Sequence, residues 1–256
     1  MQCNACNFVY SNPRWDEDEL LAAYSSVEDE TYVLERAGRV RTFTKHLIAI
    51  EKYSGEGNGR HLLDVGAYTG VFVEVAQNKG WNAVGVEPSH WAVEIANSRS
   101  IPVLEGTVYA SELVDGRFEI VTLWDVIEHL SDPSADLKKI HDLLEPGGLL
   151  VVHTMDIDSL TTKAMGSRWP WLMDMHIQYF GRKTLVKMLE KCGYEIVWIG
   201  AQGRYLSLGY IASRITGISR PLGRITSWLI EKFGLSDSTV PLNFGDLMTA
   251  IARKPN

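Results

Sequence analysis

The chain predicts a doubly wound α/β fold, an open and mainly parallel sheet with helices on both faces, and three observations carry that prediction. Short runs that are apolar throughout, among them "HLLDV", "NAVGVE", "EIVTLWD" and "LLVVHT", alternate with amphipathic segments, the pattern of strands buried on both faces between crossover helices. Gly80, the Pro146-Gly147-Gly148 triplet and Gly193 fall where helical segments should stop, because they tolerate a left-handed exit or cannot continue a helix. The first apolar run ends in an acid, passes through a glycine turn and becomes an amphipathic segment in "RHLLDVGAYTGVFVEVAQNKG".

The elements follow in order. Asp16 to Tyr24 and about Leu34 to Tyr53 are helical, the second with Val40, Phe43, Leu47 and Ile50 at helix-face spacing. Gly55, Gly57 and Gly59 break the chain. Then come "HLLDV" and a helix from Val71 to Asn78, "NAVGVE" and Trp91 to Ser98, "IPVLEG" and a short polar link, "EIVTLWD" and Ala135 to Leu144, "LLVVHT" and Thr184 to Lys191, and "YEIVWIG". The region from 206 to 240 reads as two or three helices with Gly217 and Pro221 as breaks, and "DLMTAIARK" closes the chain as a strand. The expected organisation is an N-terminal appendage over 1–56, a core over 57–205, a helical insertion over 206–240 and the closing strand of the core over 241–256. No internal repeat or low-complexity linker divides these parts.

Composition narrows the class. With 256 residues, 45% hydrophobic and 22% charged, the chain buries a full core and is not disordered. A net charge of −7 argues against nonspecific attraction to phosphate backbones, so no nucleic-acid partner is expected. No apolar stretch reaches the roughly 18 residues of a bilayer span and no signal-peptide pattern opens the chain, so the cytoplasm is the expected location. Cys3, Cys6 and Cys192 are too few for a disulfide framework. Cys3 and Cys6 form one C-x-x-C knuckle, half of what a structural zinc site needs.

Asp64 ends the first core strand, at the sheet edge where ligands of open α/β folds collect. Gly66 and Gly70 let the backbone turn tightly toward a ligand, and the helix from Val71 offers free N–H groups. A dinucleotide fingerprint G-x-G-x-x-G is not met by Gly66-Ala67-Tyr68-Thr69-Gly70-Val71. The stretch instead resembles motif I of the class I S-adenosylmethionine-dependent methyltransferases, Asp-x-Gly-x-Gly-x-Gly, with Tyr68 in place of the middle glycine. "TLWDVIEHLSDP" resembles the motif after the fourth strand in the branch that holds ubiquinone-pathway O-methyltransferases and sugar and natural-product methyltransferases. "LLEPGGLLVVHT" and the terminal hairpin also match, so the resemblance covers about Asn12 to Lys254. "CNACNFVYSNPRW" looks like the tail of a zinc-ribbon segment that precedes the core in some relatives.

The resemblance implies a Rossmann-like sheet of seven strands with a terminal antiparallel strand, N-terminal helices and a helical insertion before the last strand, and S-adenosyl-L-methionine as cofactor. It implies cofactor contacts at Asp64, Gly66, Ala67, Tyr68 and Gly70. Glu87 and Pro88 follow the second strand, where an acid can accept both ribose hydroxyls. Thr107 and Val108, with Ala92, would frame adenine, and Trp124 and Asp125 the methionine end. The Tyr68 ring would cover the sulfonium, face the acceptor, or pack on the first core helix.

His129, in "WDVIEHL", is the first expectation for a general base and His176 the second, because imidazole titrates near neutrality; bracing the next loop is the other role open to Glu128 and His129. Some relatives hold a divalent ion with a Glu-x-x-Glu-His set and a downstream histidine, which Asp125, Glu128, His129 and His176 would echo; metal-free relatives share the motif form, and no metal ligand is assigned here. The aromatic loop "GSRWPWLMDMHIQYFGRKTL" reads as an acceptor-pocket wall or lid, or as an anchor for the next helix. The expected reaction is methyl transfer to a small-molecule or carrier-linked acceptor, foremost to oxygen of a sugar, quinone-like or other metabolite. The alternatives are a noncatalytic cofactor-binding scaffold and a nicotinamide-dependent oxidoreductase. Residues 210–233, with Arg214, Arg220, Arg224 and Lys232 among apolar residues, would contact a membrane surface peripherally, dock a partner, cap the site, or pack with a solvated basic face. Oligomeric state is not legible.

Overall fold

A computed structural model describes residues 1–113 and 118–256. Residues 114–117, part of the polar link expected after "IPVLEG", lie outside the described residues. The chain opens with β1 (Val9–Tyr10), α1 (Glu17–Ser25), α2 (Glu30–Leu34) and α3 (Arg36–Ser54). The core follows with β2 (His61–Val65), α4 (Val71–Asn78), β3 (Asn82–Glu87), α5 (His90–Ser98), β4 (Val103–Glu105), β5 (Phe118–Trp124), α6 (Pro133–Leu143) and β6 (Leu144–Met155). Then come α7 (Leu160–Met165), β7 (Gln178–Tyr179), α8 (Arg182–Lys191), β8 (Glu195–Ala201), β9 (Arg204–Ser207), α9 (Leu208–Ile218), α10 (Arg220–Lys232), β10 (Thr239–Leu242) and β11 (Leu247–Arg253).

Seven strands form one sheet in the order β4-β3-β2-β5-β6-β11-β8. β2 pairs in parallel with β3 and β5, β3 with β4, and β5 with β6, while β11 runs antiparallel to β6 and β8. Successive strand residues face opposite sides, so Leu63, Val121 and Leu150 enter one core layer and Leu62, Ile120 and Val151 the other. All six are fully buried, each side chain contributing roughly 1.5–3 kcal/mol. That two-sided burial is why the strands are apolar throughout.

Helix starts are written locally. Asp16 and Glu19 form a capping box on α1, Ser89 caps α5, and Asp132 caps α6 ahead of Pro133, each satisfying amides that have no partner inside the helix. The N-terminal segment is tied to the loop after β6, since β1 pairs antiparallel with β7 through Val9 and Tyr179.

The insertion departs from the sequence expectation in detail. α9 continues through Gly217, and Pro221 opens α10 instead of breaking a helix, because a first-turn proline gives up no hydrogen bond. The helix pair closes on an antiparallel ribbon in which β9 meets β10 from Arg204 with Leu242 to Ser207 with Thr239, so the ribbon straddles the boundaries expected at 205/206 and 240/241. Among the described residues no helix is long and apolar enough to cross a membrane.

Candidate active site

The glycine turn is built by close approach. Gly66 has φ of 71°, and a Cβ there would stand 2.4 Å from Val126. The N–H groups of Gly66 and Ala67 donate to the Val86 carbonyl, fastening the turn to β3. Gly70 caps α4 in the left-handed conformation, where a Cβ would meet Ile101 at 2.6 Å. Tyr68 is also left-handed, with φ of 47°, which is uncommon for a bulky side chain. Its ring lies edge-on to Tyr32 at 4.5 Å, and its hydroxyl accepts from the Asp29 N–H at 3.1 Å. The tyrosine therefore reaches the N-terminal segment, not the first core helix.

Two buried acids stand beside the turn. Asp64 is paired in register with Gly85 on β3 and Thr122 on β5; Thr122 Oγ1 donates to it at 2.6 Å. Burial pushes Asp64 up to about 8, against the Thr122 hydroxyl. Glu87 is fully buried, and its two oxygens accept separately from the N–H groups of Tyr68 and Ser89, each at 2.9 Å. Burial raises it to about 7 in spite of those bonds. Both acids are costly to ionise without a positive or hydrogen-bonding guest.

A cavity of about 130 Å³ lies alongside, lined by Gly66, Pro88, Thr107 and Val108 from the sheet edge and by Leu20 and Tyr24 of α1. α1 thus roofs the cleft in which adenine contacts were expected. Ala92 is buried and its N–H is bonded to Ser89 Oγ.

The end of β5 divides two cavities. Leu123 and Val126 line the first, whereas Trp124 and Asp125 line a second of about 380 Å³, walled by Phe43 and His46 of α3, His153 of β6, and Trp171, Arg204 and Tyr210. Asp125 has φ of 57°, and Arg204 Nη2 donates to both its oxygens at 2.6 Å. Burial alone would raise Asp125, but Arg204 and then His153 outweigh it and hold the carboxyl below its ordinary value.

Four buried nitrogens on residues that line this second cavity, Arg39 Nε, His46 Nδ1, His153 Nε2 and Trp124 Nε1, have no hydrogen-bond partner in the protein. His46 Nε2 meets the Gly203 carbonyl at 3.1 Å, so it carries the proton and leaves Nδ1 an acceptor. His153 Nδ1 meets Thr249 Oγ1 at 2.7 Å, and its Nε2 stands 3.9 Å from Asp125 Oδ1. Burial lowers His46 to about 4 and His153 to about 3. Neither histidine was singled out from sequence, because an imidazole within an apolar strand or on a helix face gives no spacing signal.

His129 and His176 lie elsewhere, against each other, with ring centroids 4.7 Å apart. Their Nδ1 atoms meet the carbonyls of Met175 and Trp171 at 2.9 and 2.7 Å. Ligand atoms of Glu128, His129 and His176 all fall within 4.8 Å of one another. Glu128 Oε2 accepts from Thr154 while its buried Oε1 has no partner. Histidines whose Nδ1 is held by a carbonyl and whose Nε2 is free match the outer-shell arrangement of metal ligands. Among the described residues this is the one such group of three. Cys3 and Cys6 are free thiols without a third ligand in it; the N–H groups of Ala5 and Cys6 lower the Cys3 thiol.

The aromatic loop divides its residues. Trp171 and Pro170 line the second cavity, beside Met165 at the end of α7, while Trp169 and Tyr179 pack in a small core with Met155 and Leu247. Both indoles donate to Asp246 Oδ2, at 3.0 Å from Trp169 and 3.2 Å from Trp171. Met173 is exposed.

Strand-end acids on adjacent parallel strands, one of them held by an amide of the left-handed turn after the other, are the arrangement with which open α/β folds hold a nucleoside. The model of the methyltransferase domain matches residues 34–198, and the chain belongs to the S-adenosylmethionine-dependent methyltransferases. It is similar to the ubiquinone biosynthesis O-methyltransferase of Azorhizobium caulinodans, 29% identical over 106 residues, 38% of this chain and 41% of that protein. The same enzyme of Cereibacter sphaeroides is 28% identical over 43% of this chain and 48% of its own length; the chain thus spans under half of these curated relatives. In fold it is similar to a methyltransferase of Archaeoglobus fulgidus, with TM-score 0.59, 19% identity and coverage of 88% of this chain and 100% of that one. It also resembles the [4+2]-cyclase SpnF, with TM-score 0.56, 20% identity and coverage of 83% and 80%. Those structural likenesses speak to the fold alone.

Proposed function

We propose that the chain methylates a hydroxyl group of a small-molecule or carrier-linked acceptor held in the cavity between α3, β6 and β9. Four unpartnered buried nitrogens on residues lining one cavity carry this reading, because a buried polar atom without a partner costs about 1–3 kcal/mol unless a ligand satisfies it. Together they offer an acceptor at His46, donors at Trp124 and Arg39 and an ambivalent atom at His153, a set that fits a hydroxylated compound.

S-adenosylmethionine fits the first cleft, where the backbone approaches too closely for a side chain at Gly66 and Glu87 is oriented by two amides. Asp64 and Tyr68 would hold its methionine end, Glu87 the ribose, and Thr107 and Val108 the adenine. When bound, it supplies a methyl group on a sulfonium. The residues of the second cavity align the acceptor oxygen for in-line attack, which is where most of the acceleration in such transfers arises. His153 Nε2 takes the hydroxyl proton as the oxygen attacks, and Asp125 offsets the imidazolium charge that results. His153→Asn is expected to lower kcat by about 10²-fold or more with S-adenosylhomocysteine affinity unchanged. If His129→Asn produced that loss and His153→Asn did not, the proton would belong to the other histidine pair.

A second reading is favoured by the Glu128, His129 and His176 group. Two imidazoles and a carboxylate suit a borderline ion such as zinc better than magnesium. Calorimetric titration of the chelator-treated protein with zinc and with magnesium tests it: one-site binding abolished by His176→Ala supports an ion there, and no heat removes it.

A further inference from the structure

Helices α9 and α10 stand off the sheet as a hairpin, and their packing leaves one face bare. Leu222, Ile225, Leu229 and Phe233 recur at i, i+3, i+7 and i+11 of α10 and its exit, the spacing of one helix face. Their exposures are 59%, 57%, 40% and 66%, and Trp228 beside them is 56% exposed. The other side of α10 meets α9 through Gly223, where an added Cβ would fall 2.0 Å from Thr216 Oγ1. The two helices therefore touch backbone to backbone, and the apolar face cannot be the one that packs within the chain.

Charge names the occupant. Residues 208–235 carry Arg214, Arg220, Arg224 and Lys232 against Glu231, in a chain whose net charge is −7. Arg220 and Arg224 are exposed, Arg224 one turn before Trp228 at the border of the apolar face and Arg220 one turn before Arg224, and Lys232 Nζ stands 4.7 Å over the Trp228 ring, a stem along apolar surface with its charge outward. A second copy docked symmetrically through the same patch would set like guanidinium groups against each other. An anionic bilayer instead matches both the apolar depth and the basic flank.

We propose that α10 docks on an anionic lipid surface, its Leu222, Ile225, Trp228, Leu229 and Phe233 face entering the headgroup boundary while Arg220, Arg224 and Lys232 meet lipid phosphates. Tyr210 of α9 lines the second cavity, so docking holds that cavity close to the bilayer; only this last step rests on the acceptor reading.

The test is co-sedimentation of the full chain with vesicles of phosphatidylcholine alone and of phosphatidylcholine with phosphatidylglycerol. Binding is expected to the anionic vesicles, weakened by salt, and about tenfold or more weaker in Trp228→Glu and in Arg220→Glu/Arg224→Glu, with unfolding temperature and S-adenosylhomocysteine binding retained. No binding, equal binding to neutral vesicles, or binding that both variants leave unchanged overturns the proposal. So does a dimer in sedimentation velocity that Trp228→Glu dissolves while vesicles bind nothing. Retained S-adenosylhomocysteine binding in every case keeps this result separate from the methyltransferase reading.

Discussion

Tyr68 holds a backbone conformation that costs a bulky residue about 1–2 kcal/mol, and its N–H and hydroxyl explain why the cost is borne. The N–H orients Glu87 and the hydroxyl ties Asp29 to the turn. Glu87→Ala removes an acceptor that charge-assisted bonds make worth about 1.5–3 kcal/mol each, so the Kd for S-adenosylhomocysteine in calorimetry is expected to rise at least tenfold. Tyr68→Phe keeps the ring and loses only the tie; its expected signature is faster release of S-adenosylhomocysteine in stopped flow with little change in unfolding temperature. Asp64, Gly66 and Glu87 were legible because each is a local signal, an acid or a turn residue at a strand end. His153 and the Arg204 to Asp125 pair were not, since only the tertiary fold brings together partners far apart in sequence.

At the scale of elements, the parallel strands were readable because two-sided burial leaves no polar alternation to confuse them. β9 and β10 escaped because "RYLS" and "TVPL" form a short ribbon at the edge of the fold, half exposed, without the period-two pattern that a one-sided strand displays. β1 and β7 have two residues each, too few for any pattern. α1 was readable as a helix from its pattern of residues but not as the roof of the cofactor cleft. Leu20 and Tyr24 of α1 line that cleft, so a cofactor bound in it is covered by α1. Hydrogen exchange checks this: S-adenosylhomocysteine is expected to slow exchange of the α1 amides and leave those of α8 unchanged.

The whole molecule carries its buried charges as a pH response. Asp64, Glu87 and Glu128 are raised by burial to about 8, 7 and 8, so from their unfolded values near 4 upward the folded state binds more protons than the unfolded one, and stability falls as pH rises. His46, His129 and His153 are lowered by burial to about 4, 4 and 3 and work in the opposite direction, but only up to about 6.5, where the unfolded histidines have lost their protons. Between about 6.5 and 8 the buried histidines therefore no longer oppose the carboxylates. The unfolding temperature of the cofactor-free protein is expected to drop across that window, and less steeply in Asp64→Asn. Over the same window S-adenosylmethionine, a cation at sulfur, is expected to bind more tightly as pH rises, with Asp64→Asn flattening the trend.

Glu35, at the start of α3, is 2% exposed and spends both carboxylate oxygens on Ser207, one on its amide and one on its hydroxyl. Ser207 is the cap from which α9 springs, and α3 carries His46 and Phe43 into the second cavity. The two bonds join the first turn of the outer hairpin directly to the start of the helix that carries His46, with no loop between them. Glu35→Ala removes both acceptors, leaving the Ser207 amide and hydroxyl without their buried partner, and is expected to lower the unfolding temperature.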